Sequence, residues 1–174
     1  DVQLGFAGQI DGSLDFMLLE ALRQATAFGN WDGAQLAGFL ERHEAYFPED
    51  FSRLSFIDNH DMNRFLWAAG GDKRRLRLAA LCQFTLSGPP VVYYGTEVGL
   101  SQERDVRQDD FGKPEEARLP MPWEPEAQDV ELAVFYRCLT AQRQHHACLI
   151  RGEFAVVQAG RDTLVYARAL PEER

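Results

Sequence analysis

No run of eighteen apolar residues occurs in the sequence, so nothing in it reads as a membrane-spanning helix. Basic charge is also scarce. Lys and Arg number 18 against 27 Asp and Glu, and the net charge of −9 removes the electrostatic footprint that a nucleic acid requires. Cysteine is nearly absent. Cys82, Cys138 and Cys148 show neither C-x-x-C spacing nor a histidine cluster, so neither a disulfide framework nor a zinc site is expected. His145 and His146 precede Cys148, but adjacent histidines on one helix cannot both point at one metal. No glycine-rich loop follows a strand pattern, which argues against a nucleotide-binding domain. There is no low-complexity tract and no fixed-period repeat. The opening Asp1-Val2-Gln3-Leu4 has no initiator Met and no signal-peptide layout, and it reads as the interior of a longer protein. The unpaired-looking cysteines lean toward a cytoplasmic setting; the compartment is otherwise unreadable.

What is present suits a packed core: 174 residues, 45% hydrophobic and 26% charged. Apolar residues recurring at three and four predict a helix from Leu14 to Phe28, stopped by Gly29-Asn30. A second helix is expected over Leu36–Tyr46, a short buried strand over Leu54–Ile57, and a helix over Arg74–Leu86. The cations Lys73, Arg74, Arg75 and Arg77 alternate with leucines there and read as the solvated face of that helix. Pro90–Tyr94 is β-branched and aromatic, a further strand. A polar, irregular loop runs from Ser101 to Trp123, a helix from Asp129 to Arg143, and a β-hairpin joins Phe154–Gln158 to Thr163–Ala167. The alternation of strand and helix points to βαβ units, and its loss near Cys148 to Gly152 marks a candidate boundary.

The stretch Phe56-Ile57-Asp58-Asn59-His60-Asp61 holds four polar side chains directly after a buried-looking segment. In a parallel α/β architecture chemistry gathers at the carboxyl ends of strands, where following loops converge. A carboxylate and an imidazole there can reach hydroxyls of one sugar, and a carboxylate stabilises the positive charge of an oxocarbenium-like transition state. The same residues also suit an N-cap by Asp61 on a helix beginning at Met62, with Asn59 making a turn bond. The residue types alone leave both readings open.

The string Phe56-Ile57-Asp58-Asn59-His60-Asp61-Met62-Asn63-Arg64-Phe65 resembles the last of the four signature regions of the alpha-amylase superfamily of glycoside hydrolases and transglycosylases. Gly88-Pro89-Pro90-Val91-Val92-Tyr93-Tyr94-Gly95-Thr96-Glu97 is similar to that family's eighth barrel strand, and Arg118-Leu119-Pro120-Met121-Pro122-Trp123 to its R-x-P-M-x-W loop. Ile10 to Phe16 resembles the segment around the sixth strand, and Phe135-Tyr136-Arg137 with Arg143 the final barrel helix. The resemblance implies an α/β fold, the C-terminal third of a (β/α)8 TIM barrel over residues 1–148, followed over 149–174 by the first strands of an all-β C-terminal domain. It implies that Asp61 is the catalytic carboxylate that stabilises the transition state by gripping sugar hydroxyls, with His60 bonding the same sugar. Arg64, Asp105 and Arg107 are further substrate-binding candidates, although the family often shows Asp-Pro where this sequence has Asp105-Val106. Tyr93 and Tyr94 suit barrel packing better than sugar platforms, and Trp123 suits an anchor for its loop.

The family's nucleophilic Asp and general-acid Glu lie in motifs that precede this region, and nothing before Phe56 resembles them. Gly152-Glu153 has the letters of the second motif but sits in the wrong order, at the hairpin. The chain alone is therefore expected to be inactive, part of a retaining enzyme that cleaves α-glucosidic bonds of an α-glucan or maltooligosaccharide. Transglycosylation and a non-catalytic, carbohydrate-binding relative are the alternatives. No cofactor and no metal are expected in this chain; calcium, where relatives bind it, belongs to the preceding portion. A barrel arc leaves edges and an apolar interior open, so a preceding portion or self-association is expected to cover them.

Overall fold

The computed structural model describes residues 2–107 and 114–170. Two short parallel strands, β1 (Gly12–Leu14) and β2 (Ser52–Leu54), pair in register from Gly12 opposite Ser52 to Leu14 opposite Leu54. A third extended segment joins beside β2 through one parallel bridge, Ser55 opposite Pro90. Two backbone bonds make that bridge: Ser55 N–H donates to the Pro89 carbonyl at 2.9 Å and Val91 N–H to the Ser55 carbonyl at 2.7 Å. Pairing goes no further there. Pro89 and Pro90 carry no N–H to donate, so the expected strand over Pro90–Tyr94 shrinks to this contact. Gln83, wholly buried, extends the stitching by donating from Nε2 to the Ser55 and Val91 carbonyls, at 3.0 and 2.9 Å.

Helices alternate with these extended segments along the chain. The first, α1 (Phe16–Leu22), is capped by Asp15, whose carboxylate accepts from Leu18 N–H at 2.9 Å. It passes into a π-turn, Arg23–Ala27, and ends before Gly29, so the predicted single helix is two segments with different hydrogen bonding. In α2 (Gly33–Glu44) a reciprocal capping box links Asp32 and Gln35, which starts the helix three residues before the apolar pattern does. One turn of helix, α3 (Phe65–Ala68), precedes α4 (Lys73–Thr85). The cations of α4 behave as a polar face: Lys73 pairs with Asp129 at 2.7 Å, Arg74 with Asp72 at 2.8 Å and Arg77 with Glu131 at 3.2 Å. The last long helix, α5 (Val130–His145), is followed by a short α6 (Ala147–Arg151). Leu18, Leu22, Leu36, Leu40, Leu76 and Leu132 belong to one buried cluster spanning α1, α2, α4 and α5.

The hairpin is β3 (Glu153–Ala159) with β4 (Leu164–Ala169), antiparallel, with a bulge between Val156 and Gln158. It docks on the start of α2, where Gly33 N–H donates to the Arg161 carbonyl at 2.9 Å and a β-carbon on Gly33 would lie 2.5 Å from the Gly160 carbonyl oxygen. Phe154, Leu164 and Tyr166 pack against the main core, so the hairpin extends it.

Gly88 fixes how the α4 helix returns to the arc. Its φ is +83°, and a β-carbon there would meet the Arg53 carbonyl oxygen of β2 at 1.9 Å. Arg143 of α5 holds the same turn, donating to the Phe84, Leu86 and Gly88 carbonyls at 2.8, 3.1 and 2.6 Å. Gly88→Ala is expected to lower stability by about 2 kcal/mol or more, since left-handed strain for a non-glycine residue is of that order and backbone must also move. A urea melt of the variant beside Gly71→Ala checks this. Gly71 has a similar φ of +79° with open space around it, so it separates strain from collision.

Candidate active site

Past Ser55 the chain runs inward and then out. Phe56, Ile57 and Asp58 are buried, whereas His60 and Asp61 are exposed at the carboxyl end of the arc. The outward turn is an Asx-turn: Asp61 N–H donates to Asn59 Oδ1 at 2.8 Å. The Asp61 side chain caps no helix among the described residues, and no helix starts at Met62. The carboxylate that serves α3 is Asp58, which accepts from Phe65 N–H at 2.9 Å and from the Thr96 hydroxyl at 3.0 and 3.1 Å. Burial pushes the Asp58 carboxyl up, opposed by the Phe65 N–H bond and the neighbouring Arg64 charge.

Asp61 stands beside an imidazole and a guanidinium, with room around it. His60 Nε2 lies 3.2 Å from Asp61 Oδ2, and Arg118 Nη2 lies 3.0 Å from Asp61 Oδ1. Arg118 also donates from Nε to the His60 carbonyl at 3.1 Å. The His60 and Asp61 side chains are 58% and 64% exposed, so their pairing is weak in water and both keep free valences for a ligand. A stack rises behind them: the His60 ring sits 6.5 Å from that of Tyr93, and the Arg64 guanidinium lies 4.1 Å from the Tyr93 ring centre. Burial and the adjoining Tyr94 hydroxyl push the Tyr93 hydroxyl up to about 12, so it stays protonated. Tyr94 ties down the opposite rim, donating from its hydroxyl to the Leu119 carbonyl at 2.8 Å.

Arg64 departs from expectation. It is 0% exposed, and its fork lies inside the protein: Nε donates to the Ala117 carbonyl at 2.9 Å, Nη1 reaches the Tyr94 carbonyl and, at 3.5 Å, the Thr96 hydroxyl, and Nη2 is buried with no hydrogen-bond partner among the described residues. It is a strut beneath the site and has no face toward a sugar. Asp105 and Arg107 do lie beside the loop of Asp61. Asp105 Oδ1 accepts from Asn63 Nδ2 at 3.0 Å and from Arg107 N–H at 2.8 Å, and these bonds, the one from Arg107 N–H most of all, hold its carboxyl below the ordinary range. Trp123 is 78% exposed. Part of the expected loop, residues 108–113, lies outside the described residues.

Two residues that sequence patterns did not single out complete the neighbourhood. Arg23, on the π-turn, donates to the carbonyls of Ile57 and Asn63 at 3.2 and 3.1 Å, one on each side of the Asn59–Asp61 turn. Gln102 donates to Asn63 Oδ1 at 2.6 Å and accepts from Arg64 N–H at 2.6 Å. Among the described residues no group of three or more His, Cys, Asp or Glu is placed to hold a metal, and no helix is long and apolar enough to cross a membrane.

Such a constellation, one exposed carboxylate beside an imidazole and an arginine at strand ends, can grip vicinal hydroxyls and favour a cationic ring. Among the described residues it holds no second carboxylate facing the first. Comparison with known proteins bears on both points. The family described as "Alpha amylase, catalytic domain" matches residues 5–137. An Alpha-amylase 2 from Dictyoglomus thermophilum is 38% identical over 168 residues, 97% of this chain and 29% of that protein. A Cyclomaltodextrinase from a Bacillus species is 36% identical over 152 residues, covering 86% of this chain and 24% of that one. Among solved structures, the cyclic alpha-maltosyl-(1→6)-maltose hydrolase from Arthrobacter globiformis, in complex with cyclic alpha-maltosyl-(1→6)-maltose, superposes with a TM-score of 0.82 at 30% identity. That match covers 93% of this chain and 35% of the hydrolase. The chain thus spans under a third of the length of these two sequence relatives.

Proposed function

Since the chain belongs to the alpha-amylase family, we propose that it contributes the transition-state-stabilising carboxylate, Asp61, to a retaining hydrolase of α-glucans. The observation that carries the reading is the placement of Asp61: exposed at the strand ends, held by the Asn59 turn and by Arg118, with His60 alongside. A carboxylate there gains most when the sugar ring flattens and becomes positive, because its bonds to the ring hydroxyls tighten and opposite charges meet. His60 donates to the same ring. Maltooligosaccharide or a related α-glucan is the substrate, and water the acceptor.

Nucleophile and general acid are supplied from outside these 174 residues, which comprise barrel over 1–148 and the start of a β-domain over 149–174. Two observations support a larger assembly. The relatives are several times longer, and an apolar groove of about 870 Å³ opens beside β1, lined by Phe6, Phe16, Met17, Trp31 and Phe39. More protein, from the same longer chain or a second copy, covers that groove.

The test is turnover of maltoheptaose. The 174 residues alone are expected to release no reducing ends, whereas a longer protein carrying them releases maltooligosaccharides whose first-formed anomer is α, read by proton NMR. Turnover by the 174 residues alone, or release of the β-anomer, overturns the reading.

A further inference from the structure

Asn63 has both side-chain polar atoms and its main-chain carbonyl engaged, and the partners come from two separate parts of the chain. Its Nδ2 donates to Asp105 Oδ1 at 3.0 Å. Its Oδ1 accepts from Gln102 Nε2 at 2.6 Å and from Val106 N–H at 2.9 Å. Its main-chain carbonyl accepts from Arg23 at 3.1 Å. Arg23, only 8% exposed, also holds Ile57 at the other end of the turn that presents His60 and Asp61. The turn is therefore closed at its neck by one guanidinium, and the residue at that neck carries loop 102–107 on its amide. Gln102 doubles the link through Arg64 N–H. Buried and half-buried networks with every member paired hold their parts in one geometry.

We propose that Asn63 is a positioning residue that sets loop 102–107 against the Asp61 turn, so that one glucan chain meets Asp61 and Asp105 at a fixed separation. The proposal rests on the α-glucan reading above. Asn63 touches no substrate; it acts through Asp105 and through the turn. A maltoheptaose that extends past the cleavage site reaches both loops, whereas maltotriose engages chiefly the Asp61 turn. Asn63 thus weights the enzyme toward long chains.

The experiment compares kcat/KM for maltoheptaose and maltotriose in the longer protein that carries this chain. In Asn63→Ala the maltoheptaose-to-maltotriose ratio of kcat/KM is expected to fall about tenfold, because misplacing a binding group by an ångström costs on that order or more. Asn63→Asp supplies a second readout. It keeps the acceptors but sets a second carboxylate against Asp105, with Arg107 beside that carboxylate, Arg23 at the neck and Asp58 behind Arg23. Two carboxylates at such a distance share a proton when the pH falls, and the shared proton restores the bridge. The ratio in Asn63→Asp is expected to be low at pH 8 and to rise toward pH 5, while that of the unmodified protein stays flat. Equal losses on both substrates in Asn63→Ala, or an Asn63→Asp ratio flat with pH, overturns the proposal. Should the unmodified protein cleave neither sugar, the functional reading fails on its own. Amide exchange then decides: Asn63→Ala must speed exchange at 59–61 and 102–107 together, and a rise confined to one segment overturns the coupling.

Discussion

Asp61→Asn is expected to lower kcat for maltoheptaose by about a thousandfold in the longer protein, with a much smaller change in KM. The magnitude follows from what the substitution removes: a full negative charge aimed at a ring that becomes positive only as the bond breaks, an effect of the kind worth two to three orders of magnitude when one preorganised group is lost. Size and shape are kept, so ground-state contact with the hydroxyls largely survives. The fold should not suffer. Asp61 is exposed, supports no helix among the described residues, and its contacts with His60 and Arg118 are solvent-facing, a class that contributes little to stability. Steady-state kinetics and a melting curve on one preparation check both halves. A variant that turns over normally removes Asp61 from the chemistry, and one that unfolds shows that it serves the fold instead.

Arg64→Met carries the second large effect and the opposite signature. The guanidinium is fully buried, bonded to the carbonyls of Ala117 and Tyr94, lying 4.1 and 4.7 Å from the ring centres of Tyr93 and Tyr94, and close to the buried Asp58 carboxylate. Methionine fills much of the volume but leaves those carbonyls without donors and Asp58 without a neighbouring cation. Breaking one half of a buried charged arrangement costs about 3–5 kcal/mol. At roughly 2–4 °C per kcal/mol for a chain of this size, the melting temperature falls by roughly 6–20 °C. Arg64→Lys recovers little, because an ammonium cannot serve both carbonyls and stack on a ring together. Equilibrium unfolding decides the matter. If Arg64→Met keeps its stability yet weakens maltoheptaose binding, then Arg64 faces the sugar and the strut assignment is wrong.

The contrast between these residues shows what the sequence could and could not convey. Helices were legible because α2, α4 and α5 keep an apolar stripe at three and four, whereas the start of α2 was missed because its cap, Asp32, lies outside that stripe. Strands were legible less well. The apolar run Leu54–Ile57 marks where the chain dives into the core, while the ladder itself lies earlier, over Ser52–Leu54. Apolar content reports burial, and pairing depends on a neighbour. The motif around Asp61 placed the candidate site because neighbouring residues along a strand end remain neighbours in space. Arg64 sits in the same motif, but whether an arginine points out or in is decided by acceptors at Tyr94 and Ala117, which no local pattern reveals. Arg23 was hidden for a related reason: only the π-turn aims it at the neck of the Asp61 loop.

The central claim is that Asp61 binds the transition state in preference to the ground state. The most direct measurement is a pair of affinities, for maltoheptaose and for a flattened, cationic aminocyclitol oligosaccharide that mimics the transition state, in the unmodified longer protein and in Asp61→Asn. Asp61→Asn is predicted to weaken the mimic about a hundredfold or more while changing maltoheptaose affinity less than about tenfold. Equal weakening of the two ligands, or none, contradicts the claim.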